Sequence, residues 1–180
     1  MKVGSKTPWG RADHVTKHAE GIYSVSTASH GGVKLDRTRN AQVSGLGRVS
    51  GGWYEEDIAA VIPMLTFPHA FPYSRESVSL RQAAIAEYPE WYAHEFNVDV
   101  AIEESRELRR RAFALATEDK FVVCSALAEV NSFPPLVAVT ARKRSEEAYF
   151  LIPLVEYRSQ RGEFGFVVDP ERHERVVPRG

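Results

Sequence analysis

Val15-Thr16-Lys17-His18-Ala19-Glu20-Gly21-Ile22-Tyr23-Ser24-Val25-Ser26-Thr27 is the stretch on which the fold turns. Its β-branched and aromatic residues flank Glu20-Gly21, where glycine supplies the positive φ that a tight turn needs. The stretch therefore reads as a β-hairpin. In its second arm Ile22, Ser24 and Ser26 share one face and Tyr23, Val25 and Thr27 the other, so neither face is purely apolar.

Working outward, residues 1–6 read as a flexible leader, and Thr7-Pro8-Trp9-Gly10 opens the ordered part with Trp9 as a plug on the core. After the hairpin come Ser29-His30-Gly31-Gly32, a short apolar step Val33-Lys34-Leu35, and Asp36, placed to cap a helical turn near Arg37. The segment from Ser44 to Gly52 holds four glycines and reads as a loop. Ile58, Val61, Ile62 and Leu65 then follow the i, i+3, i+4, i+7 spacing of a buried helical stripe, with Glu55, Glu56 and Asp57 in the first turn of that helix. Pro63 lacks an amide hydrogen, which predicts a kink near residues 59–62 or a helix shorter than the stripe.

Residues 67–73 are too rich in proline to be regular. Ser74 or Ser77 caps a helix that reaches Tyr88, with Leu80, Ala84 and Tyr88 on one stripe and Pro89 as its stop. A further helix over residues 100–116 is expected to turn Ala101, Leu108, Ala112 and Leu115 to the core, while its acidic and basic residues pair outside. The segments 121–126, 136–141, 149–155 and 164–168 are β-rich and read as a three- or four-stranded antiparallel meander. Pro153 places its strand at an edge or at a bulge. Cys124 alternates with Val123 in an apolar strand and reads as a core thiol, protonated and inert. Hairpin, helices and meander in that order give an α+β fold, with an N-terminal β-hairpin, central helices and a C-terminal antiparallel meander.

The 180 residues fit one domain over 1–180, with a small appended lobe at most. Hydrophobic residues at 43% and charged residues at 26% exclude a disordered or fibrous chain. Twenty-three basic against 24 acidic residues give a net charge of −1, which argues against a nucleic-acid binder working by bulk charge. A DNA-binding patch would need Arg109, Arg110, Arg111, Arg142, Lys143 and Arg144 on one face, and Glu103, Glu104 and Glu107 interrupt it. No apolar run approaches the roughly 18 to 20 residues that span a bilayer, and the N-terminus lacks the apolar stretch of a signal peptide, so a soluble cytoplasmic protein is expected. With one cysteine, an intrachain disulfide or paired-cysteine zinc site is excluded.

Two sets of residues carry the functional expectations. His30, between flexible neighbours at the mouth of the hairpin, is a candidate acid or base, with Glu55, Glu56 or Asp57 to orient its ring. The same residues also read as a glycine turn capped by His30 and as acids complementing a helix dipole. Consecutive acids splay around a helix, so at most two could hold one ion. His14 and His18 have the i, i+4 spacing of a metal pair but sit in a strand, and no metal or other cofactor is expected. Trp53, Tyr54, Phe71, Tyr73, Trp91 and Tyr92 belong to a dense aromatic middle whose exposed members would form a protein-binding surface.

The runs Thr7-Pro8-Trp9-Gly10-x-Ala12-Asp13, Gly21-Ile22-x-x-Val25-Ser26-Thr27-x-Ser29-His30-Gly31-Gly32 and Gly52-Trp53-Tyr54-Glu55-Glu56-Asp57 resemble a domain family of unknown function. Phe150-Leu151-x-Pro153 and Phe166-Val167-Val168-Asp169-Pro170-x-x-His173 extend the likeness over nearly the whole chain. The resemblance is to a family spread on proteobacterial plasmids, integrative elements and prophages, and it implies a mobile-element setting without an activity, cofactor or catalytic residue. Two expectations follow. The first is an accessory protein that binds a host or element-encoded complex and inhibits a host defence of the CRISPR or restriction type, without membrane or nucleic-acid partners. The second is a small hydrolase or transferase working through His30 with Glu55, Glu56 or Asp57, which requires the two blocks to converge.

Overall fold

The computed structural model describes residues 1–72, 74, 76–130 and 132–177. It is α+β, and the chain divides into two compact units, residues 1–109 and 110–180.

In the first unit β1 (Lys6–Thr7) and β2 (Gly10–Arg11) form a small ribbon around Pro8-Trp9. The residues before it are tied in, since Gly4 N–H donates to Ala12 O at 2.8 Å. β3 (His14–Ala19) and β4 (Ile22–Ser26) are the expected hairpin. Gly21 has φ +78°, and a Cβ there would overlap the Asp36 carboxylate, so glycine is required twice over. A bulge between Lys17 and Ala19 makes His18 the extra residue of β3.

β5 (Gly31–Leu35) pairs with β4. The sequence reading took its two glycines for a turn. They belong to the strand, where their missing side chains admit backbone neighbours: a Cβ on Gly31 would lie 2.8 Å from Val25 O, and one on Gly32 would overlap Tyr54 O and lie 2.6 Å from the Trp9 ring. α1 (Arg37–Asn40) is capped as expected, Asp36 Oδ1 accepting from Arg39 N–H at 2.7 Å.

β6 (Trp53–Glu55) completes a four-stranded antiparallel sheet of order β3-β4-β5-β6. The expectation that Glu55, Glu56 and Asp57 form the first turn of a helix is therefore corrected. The helical stripe starts later, at α2 (Val61–Thr66), where Val61, Ile62 and Leu65 are buried while Ile58 is 46% exposed. Pro63 is the third residue of α2, and no intrahelical acceptor exists for an amide hydrogen at that position. The proline thus delays the helix without kinking it.

Ile22, Val33, Leu35 and Tyr54 meet α2 and the following helices in one core, with Phe67, Ala84 and Trp91. α3 (Val78–Glu87) has Ser77 as its cap, accepting from Leu80 N–H at 3.3 Å. Pro89 does more than end α3: it is the first residue of α4 (Pro89–Phe96), a position where its fixed φ favours helix. α5 (Arg106–Ala116) begins after a single 3₁₀ turn at Ile102–Glu104. Among its described residues none is buried, and Leu115 is 76% exposed, so the expected core stripe on this helix is overturned.

The second unit is built on β7 (Phe121–Val130), β8 (Leu136–Lys143) and β9 (Glu146–Pro153), followed by α6 (Leu154–Gln160), β10 (Val167–Val168) and β11 (Glu174–Val176). All pairings are antiparallel in the order β10-β7-β8-β9-β11, which makes β9 an inner strand rather than an edge. Pro153 is tolerated because it is the last residue of β9, beyond the reach of β11, and leads directly into α6. Cys124 is exposed, contrary to expectation, because it occupies a bulge between Val123 and Ser125. Its thiol donates to Thr140 O at 3.3 Å. The core of this unit is Phe121, Val139, Phe150, Ile152, Tyr157 and Phe166, with the buried His173 ring accepting from Asp169 N–H at 3.0 Å. The Asp169-Pro170-x-x-His173 run is thus a self-capped turn, closed further by His173 N–H to Asp169 O at 2.8 Å.

Candidate functional site

The start of β5 and the end of β6 lie side by side, with Gly32 opposite Glu55 and Glu56 N–H donating to Gly31 O at 3.0 Å. Thr27 builds the turn that leads into this edge. Its hydroxyl donates to His30 O at 2.8 Å and accepts from His30 N–H at 3.2 Å, while Thr27 N–H donates to His30 O at 2.7 Å. His30 therefore leaves a pinned backbone, and its Nδ1 stands 3.7 Å from Glu55 Oε1. Asp57 N–H donates to Glu55 Oε2 at 3.1 Å and holds that carboxylate from its other oxygen. One ligand atom from each of His30, Glu55 and Asp57 lies within 4.8 Å of the others.

The two sequence blocks thus converge, with Glu56 as the exception. Successive residues leave a strand on opposite faces, and the register puts Glu55 with Gly32 while Glu56 lies over Gly31 on the reverse side. The His30 to Glu55 separation exceeds a hydrogen bond, but apo acid–base pairs are commonly long and tighten in complex. The same three donors also have the chemistry to hold one divalent cation. Ligands about 2.1 Å from a tetrahedral ion stand roughly 3.4 Å apart, so these atoms, within 4.8 Å of one another, would have to draw together to share one. The Tyr88 hydroxyl, which the sequence reading placed only in the core stripe, titrates above its ordinary value because of burial and then the Glu87 and Glu55 carboxylates. Tyr88 is a neutral phenol within electrostatic reach of the site.

The aromatic candidates separate sharply. Trp53 is half-buried on the same face as Glu55, edge-on to Trp9 at 5.7 Å, with the Lys34 ammonium 4.8 Å from its ring centre. Phe71 is half-buried with its ring 4.5 Å from that of His18. Tyr54, Trp91 and Tyr92 are core residues, which corrects their reading as surface. Tyr54 shares the register of Val33, so it must face the helices; its hydroxyl donates to Asn40 Oδ1 at 2.6 Å and accepts from Val49 N–H at 3.3 Å. Tyr73 lies outside the described residues.

His14 and His18 lie four positions apart on β3, a strand spacing of roughly 13 Å that is too long for one ion to bridge. His18 Nε2 is 2.7 Å from Ser24 Oγ, and burial holds the ring below its ordinary pKa. Arg142, Lys143 and Arg144 face Glu147, Glu146 and Asp119 respectively, so those cations are already paired. Among the described residues no helix is long and apolar enough to cross a membrane.

Sequence reasoning missed a polar row on the helix-facing side of the sheet. His14, Thr16, Ser24, Ser26 and Glu56 line a cavity of about 220 Å³ beside Val33, Ala60 and Met64. The available signal was the mixed face of β4, where Ser24 and Ser26 continue the side that Ile22 buries.

No curated protein and no solved structure matches the chain. A family model matches residues 2–118, a span that contains every acid–base candidate and ends before β7, and on that match the chain belongs to the family described as Domain of unknown function (DUF7007).

Proposed function

We propose that the protein is a small cytoplasmic hydrolase or transferase whose acid–base centre is His30 with Glu55 and Asp57. The observation that carries this reading is the convergence of the two blocks, with His30 Nδ1 turned to Glu55 at 3.7 Å. In that orientation Glu55 accepts the Nδ1 proton and leaves Nε2 as the base, which takes a proton from water or an acceptor hydroxyl as it attacks. Asp57 positions Glu55 through its backbone N–H. Glu56 faces the other side of the sheet and has no part in the centre.

The test is turnover of a panel of chromogenic phosphodiesters, carboxylic esters and glycosides, with and without added divalent cations. His30→Ala is expected to lower turnover roughly 10²- to 10⁴-fold while leaving stability nearly unchanged, because the side chain is 53% exposed. Activity that persists in His30→Ala, or none on any substrate class by the wild type, would refute the proposal.

A second reading is a phage- or plasmid-encoded accessory protein that inhibits a host defence complex. It is favoured by the half-buried Trp9–Trp53 pair with Lys34 above it, a compact aromatic anchor beside Glu55. It loses Tyr54, Trp91 and Tyr92, which are in the core. Capture of a defence subunit by the wild type and by His30→Ala alike, but not by Trp53→Ala, would select this reading.

A further inference from the structure

We infer that the cavity on the helix-facing side of the sheet binds a guanidinium or ammonium group carried on a short apolar stem. This site is independent of the His30 centre, because Glu55 and Glu56 lie on opposite faces of the sheet.

At this end the helix-facing side of the sheet is open to solvent: Ser24 and Ser26 are half-buried, and His14, Thr16 and Glu56 are exposed. Here the register continues the buried positions Ile22, Val33 and Leu35 into Ser24, Ser26, Thr16 and His14. The Glu56 carboxylate lies over Gly31, in space that a Cβ there would share. Among the described residues the side chains of Glu56, Ser26, Thr16 and His14 have no hydrogen-bond or ion-pair partner, and the lining contains no lysine or arginine. Ser24 Oγ is engaged by His18 at 2.7 Å and can still accept a second hydrogen bond.

The chemistry selects the ligand. The exposed Glu56 carboxylate, with no lysine or arginine in the lining, attracts a cation, and the hydroxyls accept the N–H groups that a carboxylate alone leaves over. Val33, Ala60 and Met64 form an apolar wall suited to methylene groups. The volume of about 220 Å³ lies below the roughly 300–1,000 Å³ of sites for drug-sized molecules, which limits the occupant to a small amine or a single basic side chain.

Titration of the full-length protein with butylguanidinium chloride, followed by amide chemical shifts and calorimetry, tests the inference. Saturable binding is expected, with shifts at Ser24, Ser26, Gly31 and Glu56. Glu56→Gln should weaken it roughly 10-fold to 100-fold, and the uncharged isostere butylurea should bind no better to wild type than butylguanidinium binds to that variant. Ser26→Ala, which removes one hydroxyl and no charge, should weaken it less. His30→Ala should leave it unchanged, which separates this site from the acid–base centre. A Gly-Arg-Gly peptide distinguishes the source: binding at least equal to that of butylguanidinium identifies a polypeptide side chain, and weaker binding identifies a free small cation. Absence of saturable binding, equal affinity in folded Glu56→Gln, or shifts centred on His30 would overturn the inference.

Discussion

Gly21→Ala probes whether the hairpin turn and the helix that follows it are one cooperative device. At φ +78° an alanine pays a left-handed strain of roughly 1–2 kcal/mol. Its Cβ would also overlap the Asp36 carboxylate, which must rotate away and abandon Arg39 N–H, and a lost N-cap costs about 1 kcal/mol. The single substitution should therefore cost about 2–3 kcal/mol, and Asp36→Ala alone about 1 kcal/mol. The cap can be lost only once, so the double variant should cost no more than Gly21→Ala, a coupling of about 1 kcal/mol. Urea denaturation of the four proteins, with unchanged m values, measures the cycle. Strict additivity, or a cost for Gly21→Ala below about 1 kcal/mol, would refute the reasoning.

Tyr54→Phe deletes a buried hydroxyl and strands Asn40 Oδ1 and Val49 N–H, so it should destabilise by about 1–3 kcal/mol, measured by the same denaturation. A cost near zero would mean that water replaces the phenol there. His18 is held below its ordinary pKa by burial, so the unfolded chain binds the proton more readily than the folded one. Its contribution to stability is complete above about pH 6.5 and is lost as pH falls through the folded value. In His18→Asn the slope of stability between pH 7 and the folded pKa should flatten, and an unchanged slope would assign the proton uptake elsewhere.

Legibility in the sequence tracks the range of the interactions involved. The hairpin at Glu20-Gly21, the caps Asp36 and Ser77 and the stop at Pro89 are local events, written in residues a few positions apart. The readings that failed depend on distant partners. Gly31-Gly32 looks like a turn until Val25 O and Tyr54 O are found where Cβ atoms would stand, and Glu55 looks like part of a helical first turn until β5 offers β6 a ladder. Cys124 has the alternation of a core residue, but the register shift opposite Thr140 leaves it exposed. α5 has the periodicity of an amphipathic helix and yet buries none of its described residues.

The candidate site divides along the same line. The residue types at 30 and 55–57 supply one imidazole and three carboxylates, the side chains most used for acid–base work. Which carboxylate meets the imidazole was decided by pairing: β5 against β6 brings Glu55 to His30 and sends Glu56 through to the opposite face. The alternation of a strand is a local property that any sequence expresses. Which face each residue joins, and what waits on that face, depends on a register set by strands some twenty residues apart and by the helices that cover one side of the sheet.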